Sequence, residues 1–374
     1  MFFSLSDFQT VPPKFKIPQK QTLNWLIDAH IQSEKTKKNF SEDTFENDIR
    51  KRFEKVACKE EHIEFRGSSI EDYLHNNWEK MEIYNLTENP GGFGLEVRTK
   101  VFSSTADKVF KKFYENSKDV PSNIIHVTCT GYASPSAAQK LVSHKNWGSK
   151  TQVTHAYHMG CYGSIPAIKI ANAFYNSDKK SHSDIVHTEI CSLHTNPSLH
   201  DYPQIVVQSL FADGFIKYTL SNKPGFKILA LHQETIDNTE DAMLWDISEH
   251  GFKIHLAKEI PVLIARNLKK FIINMLKGSE ISFERALKEA IFAIHPGGPK
   301  IIKNIKDILS LDDEQVEDSR KILKSHGNMS SATLPHIWKR ILEDKKISKD
   351  TLVLSLAFGP GLSISGCVLK KESI

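Results

Sequence analysis

Thr154-His-Ala-Tyr-His-Met-Gly-Cys-Tyr-Gly-Ser-Ile-Pro-Ala-Ile-Lys-Ile-Ala-Asn-Ala-Phe174 sets one cysteine at the head of an apolar, helix-patterned run. Cys161 stands among small residues (Gly160, Gly163, Ser164), and a helical pattern starts directly behind it. Ile165, Ile168 and Ala171 or Asn172 recur at helical spacing, and Pro166 is tolerated only in a first turn. The pattern predicts a thiol at a helix N-terminus, where the macrodipole and the free N–H groups favour a thiolate. A buried structural cysteine is the commoner fate of a lone Cys, so this stretch alone leaves both readings open.

Two later segments bear on the choice. Phe292-Ala-Ile-His-Pro-Gly-Gly-Pro-Lys300 is an apolar, strand-like run that ends at His295, followed by a turn too rich in Pro and Gly for a helix. A histidine at the mouth of a strand, held by a rigid turn, is well placed to face a cleft. In Ser325-His-Gly-Asn-Met-Ser-Ser-Ala-Thr-Leu-Pro-His-Ile-Trp338, Asn328 sits in a polar loop ahead of another helical pattern. His295 also reads as a loop histidine, and Asn328 as a turn former or helix cap. Widely spaced Cys, His and Asn suit thiol chemistry, but spacing does not show that they meet.

In this order the three segments resemble the catalytic Cys, His and Asn motifs of the type III polyketide synthases, the chalcone-synthase-like branch of the thiolase fold. Val206-Val-Gln-Ser-Leu-Phe-Ala-Asp-Gly214 and Ala357-Phe-Gly-Pro-Gly-Leu362 agree with the same family. The resemblance runs from about Phe53 to the end. It implies an α/β, thiolase-like fold of five αβαβα layers built from two similar halves. Residues 1–224 would supply Cys161, and residues 225–374 His295 and Asn328. It further implies a homodimer.

Composition is compatible with this. The 374 residues are 40% hydrophobic and 25% charged, ordinary for a globular chain with a sizeable core. A net charge of +4 carries no nucleic-acid signature, although it would allow a local basic patch for a phosphorylated or acidic carrier. Cys58, Cys129, Cys161, Cys191 and Cys367 are scattered without a CxxC pair, which fits free thiols in a reducing, cytoplasmic setting. Met1-Phe-Phe-Ser-Leu-Ser-Asp7 lacks a basic region and a long apolar core, so no signal peptide is expected. Leu352 to Leu369 is uncharged and long enough for a membrane span. Its central Gly359-Pro-Gly361 predicts two buried strands and a tight loop instead.

Strands are expected at Asn123–Gly131, Ile185–Leu193, Lys227–His232 and Thr351–Leu356, and helices at Val262–Leu276 and Gln315–Lys324. Residues 41–75 read as amphipathic surface helices, and Asn222-Lys-Pro-Gly225 as the strongest internal break. The alternation argues for a layered α/β fold. No sequence repeat is evident.

By the resemblance, Cys161 would attack an acyl thioester. His295 would pair with the thiolate, then join Asn328 in donating hydrogen bonds to the oxygen of an enolate formed by decarboxylation of a malonyl-type thioester. No metal or redox cofactor is expected, and His155, His158 and His194 are too irregularly spaced for zinc. Phe211 matches a gatekeeper phenylalanine of the family, and Ile254 stands where a second is usual. His194 and Trp245 are bulky where plant enzymes carry Thr and Gly, which implies a smaller cavity and one or two condensations ending in an α-pyrone. Ser330 keeps a small pocket residue. Ser134 replaces a Met that crosses the dimer interface, leaving room for a longer, fatty acyl chain. Neutral repacking is the plain alternative for these substitutions. Lys55 and Lys59 match the coenzyme A-binding region of the family, while Arg50-Lys-Arg52 reads as a solvated helix face. The substrates would be acyl-CoA and malonyl-CoA, or thioesters on an acyl carrier protein. Two further readings stand beside this one: a chain-joining ketosynthase that condenses two carrier-bound β-ketoacyl thioesters without decarboxylation, and a non-catalytic partner subunit.

Overall fold

A computed structural model describes residues 3–35, 41–117 and 119–372. Its organising element is a nine-stranded sheet. The first arm contains β1 (Ser4–Val11), β4 (Asn123–Thr128), β5 (Gln152–Tyr157), β6 (Ser183–Glu189) and β7 (Gly214–Ser221). The second contains β8 (Phe226–Thr235), β11 (Ile291–Ile294), β12 (Leu352–Gly359) and β13 (Ser363–Lys371). Two small antiparallel pairs flank the sheet: β2 (Phe15–Pro18) with β3 (Phe65–Ser68), and β9 (Met243–Ser248) with β10 (Gly251–Leu256).

Pairing of β1 with β8, Ser4 opposite Lys227 and Leu5 opposite Phe226, joins the arms. Outward from that seam the first arm runs β1-β7-β6-β4-β5 and the second β8-β13-β12-β11. In both arms the first strand lies innermost, and the last strand of the arm lies antiparallel beside it. Next comes the preceding strand, which is parallel to its outer neighbour (β6 to β4, β12 to β11). The two halves therefore share one winding order that no sequence repeat announces.

Period-two patterning explains how helices cover both faces. On β4, Ile124 joins one apolar cluster while Ile125 and Val127 join another. On β12, Leu352, Leu354, Leu356 and Phe358 face one cluster, and Val353 and Ala357 the other. The shared cluster belongs to α5 (Ser164–Ser177) and α11 (Thr333–Glu343). Helix α5 contacts β4, β6 and β7 of the first arm and β13 of the second, and α11 contacts β7 and β11. Outside the first arm lie α3 (Leu95–Phe113) and α4 (Ala137–His144), with α1 (Gln19–Glu34), α2 (Glu42–Val56) and α6 (Tyr202–Leu210) nearby. Outside the second lie α7 (Ile260–Leu276), α8 (Phe283–Glu289) and α9 (Pro299–Leu309), with α10 (Glu317–His326) beside them. The layers thus run helix, sheet, helix, sheet, helix.

The apolar run from Leu352 to Leu369 forms the antiparallel β12–β13 pair, and among the described residues no helix is long and apolar enough to cross a membrane. Residues 41–75 depart from expectation. Only Glu42–Val56 is α-helix, because Phe65–Ser68 pairs with Phe15–Pro18 as a strand and tertiary pairing overrides the helical composition around it.

Trp338 on α11 ties the arms together. It is fully buried, its Nε1–H donates to Ser355 Oγ on β12 at 2.9 Å, and its ring meets Tyr218 on β7 edge-on at 6.0 Å. Trp338→Ala should cost about 3–5 kcal/mol, read as a lowered urea midpoint. A loss below about 1 kcal/mol would mean that the central layer does not couple the arms.

Candidate active site

Cys161 lies in the turn ahead of α5, as its sequence context predicts. Two interlocked glycines set the turn. Gly160 has φ +79°, and a Cβ there would lie 2.5 Å from Pro360 Cδ. A Cβ on Gly359 would lie 2.3 Å from the Tyr162 ring. The Gly-Cys-Tyr and Gly-Pro-Gly motifs therefore pack against each other across the two arms. The Cys129 thiol fastens the same turn, accepting from Gly160 N–H at 3.0 Å and donating to Gly160 O at 3.3 Å.

Asn328 arrives from the opposite direction, in the loop between α10 and α11. Its backbone is clamped to the end of α6: Asn328 N–H donates to Leu210 O at 2.9 Å, and Ala212 N–H donates to Asn328 O at 2.8 Å. Oδ1 of its side chain accepts Ser330 N–H at 2.9 Å. That bond stabilises the left-handed backbone of Ser330 (φ +50°) and leaves the amide N–H₂ as the donor toward the site. Cys161 Sγ lies 4.0 Å from Ser330 Oγ. Burial pushes the Cys161 thiol up to about 12; the Ser330 hydroxyl opposes this, nearby Glu189 adds to it, and the Asn328 amide again opposes it.

His295 directly follows β11, its N–H bound to Leu356 O at 2.8 Å. The ring is buried, and among the described residues neither nitrogen has a hydrogen-bond partner. Burial lowers its pKa to about 3. Desolvation thus works against the charged form of both groups. Both ring nitrogens are left open to a hydrogen-bond partner.

Glu189, at the end of β6, underlies the site and was not singled out in the sequence. Its carboxyl accepts Cys129 N–H at 3.0 Å and Thr130 Oγ–H at 2.9 Å, and is bonded by Ser331 Oγ–H. Burial raises its pKa to about 7 despite these bonds. The available signal was an acidic residue inside an otherwise apolar strand.

A cavity of about 30 Å³ adjoins the Cys161 thiol, lined by Cys129, Cys191, Phe211, Met243, Trp245 and Ile254 among others. Four of these, Cys191, Phe211, Trp245 and Ile254, also line a second chamber of about 40 Å³ that includes His194. Trp245 and Ile254 are cross-strand partners on β9 and β10. Trp245 Nε1–H donates to Cys129 O at 2.6 Å, and its ring stacks near Phe211 at 6.4 Å. His194 stacks on Phe252 at 4.4 Å. These large rings split the space into two small chambers.

Other candidates fall elsewhere. Ser134 is exposed and lines neither chamber; the chain leaves the site at Gly131, where a Cβ would strike the Phe102 ring at 2.2 Å. Lys55 places Nζ 5.0 Å from the Tyr202 ring, whereas Lys59 lines a separate groove with Lys20 and Arg50. His155 bonds Ser136 Oγ, His158 bonds Trp245 O and His194 bonds Thr130 O, three separate partners.

Comparison with known proteins identifies the class. Residues 227–373 match the family of chalcone and stilbene synthases, C-terminal domain. The chain is 30% identical over 258 residues to "Probable polyketide synthase 1" of Dictyostelium discoideum, covering 67% of this chain and 8% of that protein. It is 26% identical over 260 residues to type III polyketide synthase C of Arabidopsis thaliana, covering 67% of each. In fold it is similar to the C-terminal type III polyketide synthase domain of a Dictyostelium type I/III hybrid, with TM-score 0.82, 22% identity and 100% of both chains covered. It is also similar to 1,3,6,8-tetrahydroxynaphthalene synthase of Streptomyces coelicolor, with TM-score 0.78, 21% identity, and 99% and 100% of the chains covered. The fold is thiolase-like, the chain is similar to type III polyketide synthases, and its residues 227–373 match the chalcone and stilbene synthase C-terminal domain.

Glu189 offers a test of the site's electrostatics. Its folded pKa is raised above the ordinary 4.5, so its favourable contribution is complete below pH 4.5 and is lost as pH rises through 7. Wild type should lose stability relative to Glu189→Gln across that window in urea titrations. A pH-independent difference would show that the carboxyl is not desolvated.

Proposed function

We propose that this chain is a type III polyketide synthase-like ketosynthase that carries an acyl group on Cys161. The observation that supports it best is the meeting of Cys161, Ser330 and Asn328 at the starts of the two central helices, beside an enclosed apolar chamber. In this reading His295 takes the Cys161 proton, the sulfur attacks the acyl carbonyl, and the carrier thiol leaves with that proton. Asn328 and His295 then donate to the carbonyl oxygen of a malonyl-type thioester. Its carboxylate departs as CO₂, and the bonding electrons remain as an enolate. The enolate carbon attacks the acyl–Cys161 carbonyl and expels the sulfur, giving a chain two carbons longer. A second round followed by attack of an enol oxygen on the thioester would release an α-pyrone. The proposed reaction needs neither metal nor redox cofactor.

Chamber size refines the substrate. The apolar lining suits an acyl chain, but about 30 Å³ at the thiol admits a short one unless the wall of Phe211, Trp245 and Ile254 moves. A fatty tail would require that movement. Delivery by coenzyme A past Lys55 or Lys59, delivery by a carrier protein, a homodimeric assembly, a cytoplasmic setting and a seam at residues 224/225 belong to the same proposal. The matching strand orders and five free cysteines support the last two.

The test is incubation with acyl-CoAs of graded length plus malonyl-CoA, with products read by mass spectrometry. Expected are short pyrones and CO₂, absent in Cys161→Ala, with Trp245→Ala shifting the starter preference to longer chains. Acylated Cys161 with no malonyl-dependent product would favour the chain-joining alternative. No acylation from any thioester would overturn the reading.

A further inference from the structure

The second chamber contains a group that the proposed chemistry does not use. Arg66 lies on β3, only 5% exposed, and lines this chamber together with Ser68, Tyr73 and Gln208. Its Nη1 is spent on two carbonyls, Gln208 O at 2.6 Å and Phe211 O at 2.9 Å. Among the described residues neither Nε nor Nη2 has a hydrogen-bond partner. Among the described residues no carboxylate lies within ion-pair distance of Arg66. The nearest acid to influence it, Asp213, is occupied by Ser69 N–H at 2.6 Å and by Ser192 N–H and Oγ–H at 2.8 Å. The two open nitrogens are adjacent, and together they form the side-on fork of a guanidinium, whose spacing matches the two oxygens of a carboxylate. A buried, permanently charged group with that fork unfilled is costly unless an anion completes it.

We propose that the second chamber is a carboxylate-binding subsite, in which Arg66 Nε and Nη2 grip a carboxylate entering past the Phe211–Trp245 wall. This rests on the reading of Cys161 as the acyl carrier. The wall is shared by both chambers, so a chain attached at Cys161 and threaded past it would end among Arg66, Ser68 and Gln208. The carboxylate is then the far end of a dicarboxylic acyl chain; the same fork would also take the carboxylate of a released acid.

Paired thioesters of equal length separate these sources: succinyl, adipyl and suberyl against butyryl, hexanoyl and octanoyl. Acylation of Cys161 is followed by intact mass in wild type, Arg66→Lys and Arg66→Gln. For at least one length, wild type should load the carboxylate-ended chain at least about tenfold faster than its methyl-ended twin, because a site built for a polar end rejects the analogue lacking it. Arg66→Lys keeps the charge but loses the fork, and should abolish that preference. Should the variants fail to fold, the wild-type ratio alone still decides.

No preference, but inhibition of acylation by free hexanoate that Arg66→Lys relieves, would assign the fork to a released acid. No preference and no inhibition overturns the subsite. If no thioester acylates Cys161, the functional reading fails instead. The subsite is then read separately, as the stabilisation of wild type against heat by free adipate and its loss in Arg66→Lys.

Discussion

Desolvation at the junction of the two arms is the constraint on which the rest of the site depends. Helices α5 and α11 are sandwiched between the arms, and their N-termini deliver Cys161 and the Asn328–Ser331 loop to one enclosed point. Enclosure drives the thiol and the His295 imidazole toward their neutral forms. It also makes each remaining donor count for more, since an interaction in a medium of low effective dielectric is stronger than in water.

Holding that point together requires contacts that cross from arm to arm. Gly160 fits under Pro360, Tyr162 under Gly359, and Asn328 is bridged to the end of α6 on both sides of Phe211. Phe211 is thus fixed by its backbone to the Asn328 loop, while its ring forms part of the wall between the chambers. Chemistry and chamber shape are mechanically linked through one residue. The β9–β10 hairpin completes the wall, with Trp245 tied to Cys129 O and Cys129 tied in turn to the Cys161 turn.

The legible features were those whose signal is local. A proline allowed only in a first turn located the start of α5, and Gly359-Pro-Gly361 located the β12–β13 hairpin within an otherwise membrane-like run. Cys161, His295 and Asn328 stood out because each lies in a short motif, although only the fold brings their segments toward one region. Long-range properties stayed hidden. Arg66 looked like one more charge in a polar stretch, and its missing partner is visible only once β3 pairs with β2. Cys129 and Cys191 gave no sign of lining the thiol's own chamber.

The most direct test of the central claim, that enclosure keeps Cys161 a neutral thiol, is the pH dependence of its alkylation by iodoacetamide, followed by intact mass with Cys161→Ala as reference. With the thiol pushed up to about 12, the rate should climb steadily from pH 6 to pH 10 without a plateau. A rate already level below pH 7 would mean that a thiolate–imidazolium pair with His295 exists in the free protein, and would contradict the account.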